Sequence, residues 1–598
     1  MVNRRRFLSI TALSVALLSV RREGALAAGN AKGLTRTITA KARYLNLPVK
    51  TGGAQRHVKM VVDGKAVREF NIRLSEGGAD WWAFTDLAPL KGEMVTLEVE
   101  NLPGDSKALA AITQCDQILG KDTLYHEALR PQFHFSTRRG AQSDPNGLVF
   151  YDGEYHLFYQ HDPYDEQGGG NLYWGHAVSK DLVQWTELPD ALFPDNKFGI
   201  WSGSAVVDRD NTAGFQTGAE KAIIAIFTYA RSTGEAQYDA VQGLAFSNDR
   251  GRTWAKYKGN PVLPTITKYN RDPKVIWYTP EKKWVMALFV DQADYSKYPD
   301  VPGDELLKRF ADRSGFGLFS SRDLKEWEKM SEFKIPGEAE CPEFFEIAVE
   351  GNARSTRWIA YGGSGRYLIG TFDGKTFTPE SGPHHIHRGN CFYASQTFNN
   401  VLPSDGRRIL IPWARNTPPA APLYPGMPFN QMMGIPVELT LRATPDAGLQ
   451  LIVVPVKELE SLRTTTRSVK PQPLSADKNP LAAIRGELLD LTADISMGDA
   501  STVAFGLRGI AVIYDVKAQE LSCSGQKALL KAEGGRIRLR MLVDRTSIEI
   551  FGNDGRLYMP MALAVAANNK SLELRAEGSG AFINALDVSE LKSIWADA

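Results

Sequence analysis

Short stretches of alternating apolar and polar residues run along most of the chain and predict an all-β protein. Turn pairs such as Asp63-Gly64, Asp152-Gly153 and Asp554-Gly555 separate these stretches and are typical of tight hairpins. Segments with the 3.6-residue period of a helix are scarce, and residues 456–462 are predicted as one short helix.

A turn motif with a serine, an aspartate and a tryptophan recurs in the middle of the chain. It occupies residues 179–185, 247–254 and 321–327, with a weaker copy at 371–377. Each copy follows a strand-like run and ends on an aromatic residue that can fill a core. A β unit repeated at intervals of several tens of residues predicts the blades of a propeller.

The length of 598 residues exceeds one hydrophobic core and predicts several domains. We expect a β-sandwich-like domain at 33–125, a propeller at 126–455 and a second β-sandwich at 456–598 that begins with the short helix. Trp81, Trp82 and Phe84 could form a sugar-stacking platform in the first domain. A role in the domain core or in an interdomain contact is favoured.

Residues 1–27 have the features of a twin-arginine export signal. Arginines 4–6 precede an apolar run from Ile10 to Val20 and the cleavage-site pattern Ala25-Leu26-Ala27. The alternative, an uncleaved membrane anchor, is disfavoured because the run is shorter than the ~20 residues that span a bilayer. We therefore expect a periplasmic or secreted protein without stable membrane insertion.

The charge balance and the cysteine content limit which classes of partner and cofactor the protein is expected to bind. The 70 Lys and Arg residues balance 69 Asp and Glu residues, which argues against nucleic acid or an anionic membrane as the main partner. The four cysteines are widely separated and lack metal-ligand spacing. No metal or cofactor is expected and no disulfide is assumed, although one is possible. The sequence carries no signal for the oligomeric state.

Three short acidic motifs carry the candidate chemistry. Asp144, Asp272 and Glu340 each lie within two residues of a proline, which pushes the residue before it toward an extended conformation. We expect these carboxylates on rigid loops or strand ends. If they converge, they supply a nucleophile, an acid/base and a charge stabiliser, so the sequence predicts a glycosidase.

A set of motifs in order resembles glycoside hydrolase family 32, the invertase, inulinase and levanase enzymes. The resemblance covers residues 124–598, and the domain before it resembles one found ahead of some bacterial levanase-like members. The motifs are Phe133-His134-Phe135, Ser143-Asp144-Pro145-Asn146-Gly147, Phe158-Tyr159-Gln160, Trp174-Gly175-His176-Ala177-Val178-Ser179, Trp201-Ser202-Gly203-Ser204-Ala205, Arg271-Asp272-Pro273, Glu340-Cys341-Pro342 and Asp544-Arg545-Thr546-Ser547-Ile548-Glu549.

The resemblance implies a five-bladed propeller followed by a β-sandwich, and retaining hydrolysis of β-fructofuranosides. It implies Asp144 as nucleophile, Glu340 as general acid/base and Asp272 as transition-state stabiliser. A nucleophile must stay ionised, and we expect N–H groups of the Asn146-Gly147 turn to hydrogen-bond Asp144. Burial or the other two negative charges would help Glu340 to hold its proton. Cys341, next to Glu340, is expected to be a buried structural thiol.

The remaining pocket residues follow from the same resemblance. Contacts to the sugar are expected from Ser143, Gln160, Ser202, Arg271 and Trp413. The chain departs from the family at residues 141–143, where an aromatic and an asparagine are usual before the nucleophile, and at 167–170, where relatives often place a tryptophan. These changes predict a wider or altered entrance.

Three alternatives stay open. A fructosyltransferase would use the same fold with a sugar as acceptor in place of water. A fructan-binding protein would have lost catalysis, and an arabinanase-like propeller enzyme would share three carboxylates but not these motifs. Levan, inulin and sucrose are all possible substrates, with exo release of fructose favoured.

Overall fold

The computed structural model describes residues 33–595 apart from 169, 196–197, 235–236, 294–296, 298–304, 306–308, 311–312, 416–423 and 445. The predicted export signal at 1–27 lies outside the described residues. The regular secondary structure of the described chain is almost entirely β-strand, which confirms the predicted fold class. None of the helices in this part of the chain is long and apolar enough to span a membrane.

The first domain is a small sandwich of a four-stranded sheet, order β1-β6-β3-β4, and a three-stranded sheet, order β5-β2-β7. Leu47, Val58 and Leu97 from both sheets are fully buried in one shared core. Its elements are β1 (Leu34–Thr39), β2 (Tyr44–Val49), β3 (Arg56–Val62), β4 (Lys65–Ile72), β5 (Trp81–Asp86), β6 (Met94–Val99), α1 (Ala108–Ala111), β7 (Thr113–Cys115) and the 3-10 turns Ala88–Leu90 and Lys121–Thr123.

Five four-stranded antiparallel units follow and form the propeller that the repeats and the resemblance predicted. Blade 1 is β8 (Gly140–Tyr151), β9 (Glu154–Asp162), β10 (Tyr173–Ser179) and β11 (Trp185–Leu192); blade 2 is β12 (Phe198–Asp208), β13 (Ala222–Gly234), β14 (Gln237–Ser247) and β15 (Ala255–Lys256); blade 3 is β16 (Arg271–Tyr278), β17 (Lys283–Val290), β18 (Gly315–Ser321) and β19 (Glu328–Phe333), with a 3-10 turn at Thr279–Glu281.

Blade 4 is β20 (Glu343–Val349), β21 (Asn352–Tyr361), β22 (Arg366–Phe372) and β23 (Phe377–His385); blade 5 is β24 (Tyr393–Thr397), β25 (Arg408–Trp413), β27 (Val437–Thr444) and β28 (Gly448–Pro455). The short strand β26 (Phe429–Asn430) pairs in parallel with the start of β8 and links the last blade to the first. The first strand of each blade neighbours the first strands of adjacent blades around the central axis.

The recurring turn motif connects the third and fourth strands of blades 1 to 4. In each copy the aspartate side chain accepts backbone N–H groups of the turn, as in Asp181 from Val183 and Gln184. The indole N–H of the three tryptophans donates to a backbone carbonyl three residues earlier. The repeat in the sequence is therefore one hydrogen-bonded turn that occurs once in each of blades 1 to 4.

The last domain is a sandwich of seven- and five-stranded sheets. It follows a 3-10 helix at Lys457–Leu462, close to the predicted short helix. Its strands are β29 (Arg463–Val469), β30 (Gln472–Pro473), β31 (Leu489–Ser496), β32 (Asp499–Leu507), β33 (Ile510–Asp515), β34 (Glu520–Cys523), β35 (Gln526–Leu529), β36 (Arg536–Val543), β37 (Ser547–Gly552), β38 (Leu557–Ala562), β39 (Leu572–Ser579) and β40 (Phe582–Leu591).

A fully buried histidine joins this sandwich to the propeller. His134 Nδ1 lies 2.8 Å from Asp544 Oδ2, and its Nε2 lies 2.9 Å from Glu549 Oε1. Burial opposes a charge on His134, but the two hydrogen-bonded carboxylates outweigh it and raise its pKa to about 9. The first and last motifs of the resemblance thus meet at the domain interface.

Replacing His134 by glutamine is expected to destabilise the protein more at pH 7 than at pH 10. Because its pKa is raised from 6.5 to about 9, the stabilising charge is fully present below pH 6.5 and is lost as the pH rises through 9. For a pKa shift of this size, the charge of His134 contributes about 3 kcal/mol to the free energy of unfolding, and this contribution depends on pH. Denaturant unfolding of wild type and variant at both pH values measures it, and an equal loss at both would contradict it.

The first domain is fused to blade 1. Phe70 stacks on Tyr164 with ring centroids 3.9 Å apart, and Tyr164 and Tyr173 belong to the core of the first domain. Trp81 Nε1 donates to Glu166 Oε2 at 3.1 Å. Trp81 is therefore a core residue and an interdomain contact, as the sequence analysis favoured.

Candidate active site

The structure brings Asp144, Asp272 and Glu340 together at one end of the propeller axis. Asp144 lies in β8, Asp272 is the second residue of β16 and Glu340 precedes β20 by three residues. The sulfur of Cys341 lies 3.8 Å from Asp144 Oδ2 and 3.6 Å from Asp272 Oδ2. One thiol thus contacts two of the carboxylates and is adjacent in sequence to the third.

Irregular strand geometry occurs at two of these side chains, those of Asp144 and Asp272. The antiparallel register shifts in β8 between Gln142 and Pro145, and in β16 between Arg271 and Lys274. A third shift, in β12, includes Ser202. A β-bulge redirects side chains and is common beside active sites. The irregular positions of three innermost strands therefore coincide with Asp144, Ser202 and Asp272.

The backbone at the site is strained and is held by specific bonds. Asp272, Glu340 and Cys341 have φ angles of 63°, 56° and 41°, a region that side-chain-bearing residues rarely adopt. The N–H of Asp272 donates to Thr228 Oγ1 at 2.9 Å, and the N–H of Cys341 donates to Asp272 Oδ2 at 3.1 Å. Such strain persists where the surroundings fix it, typically at functional sites.

Asp144 is oriented by Ser202, whose hydroxyl donates to Asp144 Oδ2 at 2.7 Å. The expected donors, the N–H groups of the Asn146-Gly147 turn, do not reach it, because these residues continue along β8. Burial raises the pKa of Asp144 to about 6; the Ser202 hydrogen bond and the Arg415 charge oppose the increase, and the Glu340 charge adds to it.

A chain of side-chain contacts supports Ser202 in turn. With its amide oriented to suit its neighbours, Asn146 donates to Ser202 Oγ at 3.2 Å and accepts from Gln160 Nε2 at 3.2 Å. Gln160 is only 6% exposed, and its Oε1 has no hydrogen-bond partner among the described residues.

Asp272 is the second carboxylate of this site whose pKa is raised. Burial raises its pKa to about 7, the positive charge of Arg271 opposes this, and the charges of Glu340 and Asp144 add to it. Arg271 Nε lies 3.9 Å from Asp272 Oδ2. Three carboxylates in one desolvated site thus repel one another.

Each oxygen of Glu340 has its own donor. Arg271 Nε and Nη2 donate to Glu340 Oε1 at 3.0 and 2.9 Å, and the Tyr393 hydroxyl donates to Oε2 at 2.5 Å. Arg271 is held in place because its Nη1 donates to Asp291 Oδ2 at 2.9 Å and to the Tyr269 carbonyl at 2.7 Å. These contacts hold Arg271 against Glu340 and Asp291, and the predicted contact of Arg271 with the sugar stays a prediction.

Trp413 forms one wall of this corner. It is the last residue of β25, lies opposite Tyr393 in the register and is 7% exposed. The guanidinium of Arg415 lies 4.8 Å from the Tyr393 ring centroid and 5.5 Å from that of Trp413. Trp413 Nε1 is buried and has no hydrogen-bond partner in the described chain.

Two further predicted residues have simple surroundings. Ser143 is half-buried beside Asp144, and its hydroxyl makes no hydrogen bond within the part of the chain that the structure describes. Cys341 is 7% exposed, and burial together with the three carboxylates raises the pKa of its thiol well above the usual range. The thiol is therefore neutral, as expected for a structural cysteine, and all four cysteines are unpaired.

Tyr393, Arg415 and Asp291 are members of the site that the sequence analysis missed. Tyr393 lies 53 residues from Glu340 in sequence and Asp291 lies 20 from Arg271. None stands in a recognisable motif, so no sequence signal identified them.

A cavity of about 490 Å³ opens at the other end of the propeller. It is lined by the carboxyl-terminal parts of the innermost strands, including Val206 and Trp277, and by Asn400 and Arg408. None of the three carboxylates lines it, so it is separate from the site described above.

Comparison with known proteins identifies related chains. Residues 134–299 and 307–455 match the family model for the glycosyl hydrolases family 32 N-terminal domain, and residues 458–590 match that for the family 32 C-terminal domain. A levanase of Bacillus subtilis is 39% identical over 514 residues, covering 79% of this chain and 72% of the levanase.

An extracellular exo-inulinase of Aspergillus ficuum is 28% identical over 567 residues, covering 82% of this chain and all of the inulinase. The crystal structure of an exo-inulinase from Aspergillus awamori superposes with a TM-score of 0.67 at 26% identity, covering 79% of this chain and 100% of that one.

Proposed function

The chain belongs to glycoside hydrolase family 32 and is a hydrolase of β-fructofuranosides, and from that premise we propose that it releases fructose from the ends of fructan chains with retention of configuration. The convergence of Asp144, Asp272 and Glu340 around Cys341 is the observation that supports the mechanism. An exo mode is supported by the relatives that are named exo-inulinases.

In the proposed first step, a carboxylate oxygen of Asp144 attacks the anomeric carbon of the terminal fructosyl unit. Glu340 gives its proton to the departing glycosidic oxygen, which takes the electron pair of the broken bond. The Ser202 hydrogen bond aims Asp144, and Arg271 holds Glu340. In the second step Glu340 removes a proton from water, which hydrolyses the fructosyl ester.

Asp272 acts as the transition-state stabiliser. Its carboxylate accepts the Cys341 N–H and lies near Arg271, so its position is fixed before substrate enters. Hydrogen bonds to sugar hydroxyls that strengthen as the ring becomes oxocarbenium-like would lower the barrier.

Two buried groups without a hydrogen-bond partner support a position for the terminal sugar unit. Gln160 Oε1 and Trp413 Nε1 are desolvated without a partner among the described residues, a state that costs about 1–3 kcal/mol per group. A sugar hydroxyl that hydrogen-bonds either group, after a small movement of the side chains that cover it, relieves this cost on binding. Gln160 and Trp413, together with Ser143 and Ser202, form the proposed contacts to the terminal fructosyl unit.

The rate of sucrose hydrolysis, expressed as kcat/KM, should fall as the pH is lowered through 7 and 6. Protonation of Asp144, whose pKa is about 6, removes the nucleophile, and the coupled Asp272 titrates at about 7. The pH dependence of kcat/KM on sucrose measures this limb. Ser202→Ala removes a donor that lowers the pKa of Asp144, so its limb should move to higher pH; an unmoved limb would argue against Asp144 as its source.

Product chromatography after incubation with levan, inulin or sucrose tests the proposed function. Free fructose from the wild type, with none from Asp144→Ala, is the expected result, and the substrate that reacts identifies the linkage. Longer oligosaccharides as the main product would favour a fructosyltransferase. Tight fructan binding without any product would favour a binding protein.

We also propose that the protein is exported. One similar protein is named an extracellular exo-inulinase, and residues 1–27 carry the twin-arginine pattern. Secretion of the full chain from cells with and without a twin-arginine pathway tests the route.

A further inference from the structure

The two oxygens of Glu340 differ in their surroundings. Oε1 accepts two N–H groups of Arg271, which is itself fixed by Asp291. Oε2 contacts only the hydroxyl of Tyr393 among the described hydrogen-bond partners, at 2.5 Å. A guanidinium has donors and no acceptor, whereas a phenol hydroxyl can donate or accept.

This difference decides which oxygen can carry a proton. A proton on Oε1 would point at one of two N–H groups that cannot turn away, because Arg271 is buried and anchored. A proton on Oε2 meets a hydroxyl that can rotate to accept or to donate. The acid form of Glu340 therefore carries its proton on Oε2.

Tyr393 is held rigidly at that oxygen. The residue is 9% exposed, and its ring packs edge-on against Trp413 and lies under the Arg415 guanidinium. Gly363 lies so close that an added Cβ would be 2.9 Å from Tyr393 Cζ. The hydroxyl consequently has little freedom to move, although its O–H bond can rotate.

We propose that Glu340 donates its proton from Oε2, and that Tyr393 is a positioning residue that stabilises this oxygen as its proton leaves. The proposal rests on the function of Glu340 given above. As the glycosidic bond breaks, the Oε2–H proton passes to the leaving oxygen, and Tyr393 O–H donates to the carboxylate oxygen that gains charge. When Glu340 later takes a proton from water, the same hydrogen bond is released.

The assignment also places the leaving group. The glycosidic oxygen must lie within hydrogen-bond distance of Oε2, and thus on the side of Tyr393, Trp413 and Arg415, opposite to Arg271. The leaving sugar is therefore expected to contact this corner of the site.

The test compares two substrates in Tyr393→Phe, which keeps the ring and removes the hydroxyl. Sucrose needs acid assistance, whereas an aryl fructoside with a 4-nitrophenolate leaving group needs little. We expect kcat/KM on sucrose to fall by about 10²-fold, the size found when one preorganised donor to a developing oxyanion is removed. On the aryl fructoside it should change little.

Tyr367→Phe is the matched control, because this buried tyrosine hydroxyl accepts the Leu451 N–H far from the carboxylates. It should leave the ratio of the two substrates unchanged. Gly363→Ala is a second variant that displaces the Tyr393 ring by steric contact, and it should reproduce the loss selective for sucrose. Equal losses on both substrates in Tyr393→Phe and Gly363→Ala, or no loss in either, would overturn the proposal.

Glu340→Gln separates this proposal from the proposed function. If Glu340→Gln loses sucrose hydrolysis while Tyr393→Phe retains it, only the role of Tyr393 is wrong. If Glu340→Gln hydrolyses sucrose at the wild-type rate, the assignment of Glu340 as the acid is itself wrong.

Discussion

Asp144→Ala is expected to lower kcat on sucrose or levan by about 10⁴-fold or more, because no covalent fructosyl intermediate can form without the attacking carboxylate. Steady-state kinetics on purified protein measure the loss. The Ser202 hydroxyl and the other two carboxylates remain, so the site keeps its polar character while the proposed nucleophile is gone.

The same variant should stay folded, and this separates a chemical loss from a structural one. The pKa of Asp144 is raised to about 6 from 3.8, so its ionised form destabilises the folded state above pH 6. This cost disappears below pH 3.8. Thermal unfolding at pH 8 should therefore show no loss of stability in Asp144→Ala.

Asp181→Asn is a matched control from the repeated turn of blade 1, where the side chain accepts the N–H groups of Val183 and Gln184. Asparagine can accept the same bonds, so its activity should equal that of the wild type. Near-normal activity in Asp144→Ala, or a comparable loss in Asp181→Asn, would remove the nucleophile assignment.

Glu340→Ala is expected to cause the second large loss, about 10²–10⁴-fold on sucrose, which is the range for general acid–base catalysis. An aryl fructoside should still react with Asp144, because its leaving group needs little proton donation. The intermediate should then accumulate, since no base activates water. Added azide, which needs no base, should restore turnover and give a β-fructosyl azide of retained configuration.

The configuration of the azide product shows whether Glu340 is the acid/base or the nucleophile. A β product, together with rescue confined to Glu340→Ala, agrees with Glu340 as acid/base and Asp144 as nucleophile. An α product would mean that azide had taken the place of the nucleophile, and Glu340 would then have that role.

Much of the site was predictable from the sequence for physical reasons. The motifs around Asp144, Asp272 and Glu340 combine an acid with a proline, and they lie at strand starts or just before one. The repeated turns were visible because the same aspartate hydrogen bonds recur in four blades. Local chemistry of this kind is readable from a single chain.

Contacts between segments that are far apart in the chain could not be predicted from the sequence. Tyr393 meets Glu340, and Arg415 lies over Tyr393, only because bulges and the ring of blades bring them together. The donor to Asp144 was predicted as a backbone turn but is the Ser202 hydroxyl, since the register shift in β12 cannot be inferred from residue types.

The domain interfaces show the same limit. The motifs containing His134 and Asp544 were noticed, yet their meeting in a buried ionic cluster depends on the orientation of two domains. The fusion of the first domain with blade 1 through Phe70 and Tyr164 likewise follows from tertiary packing.

Mass spectrometry of Glu340→Ala after brief incubation with the aryl fructoside tests the central claim, that Asp144 forms a covalent fructosyl intermediate. We predict one added fructosyl unit on the peptide that contains Asp144, and its disappearance when azide is present. A fructosyl unit on another residue, or turnover of the aryl fructoside to an inverted product with no labelled peptide, would contradict the account.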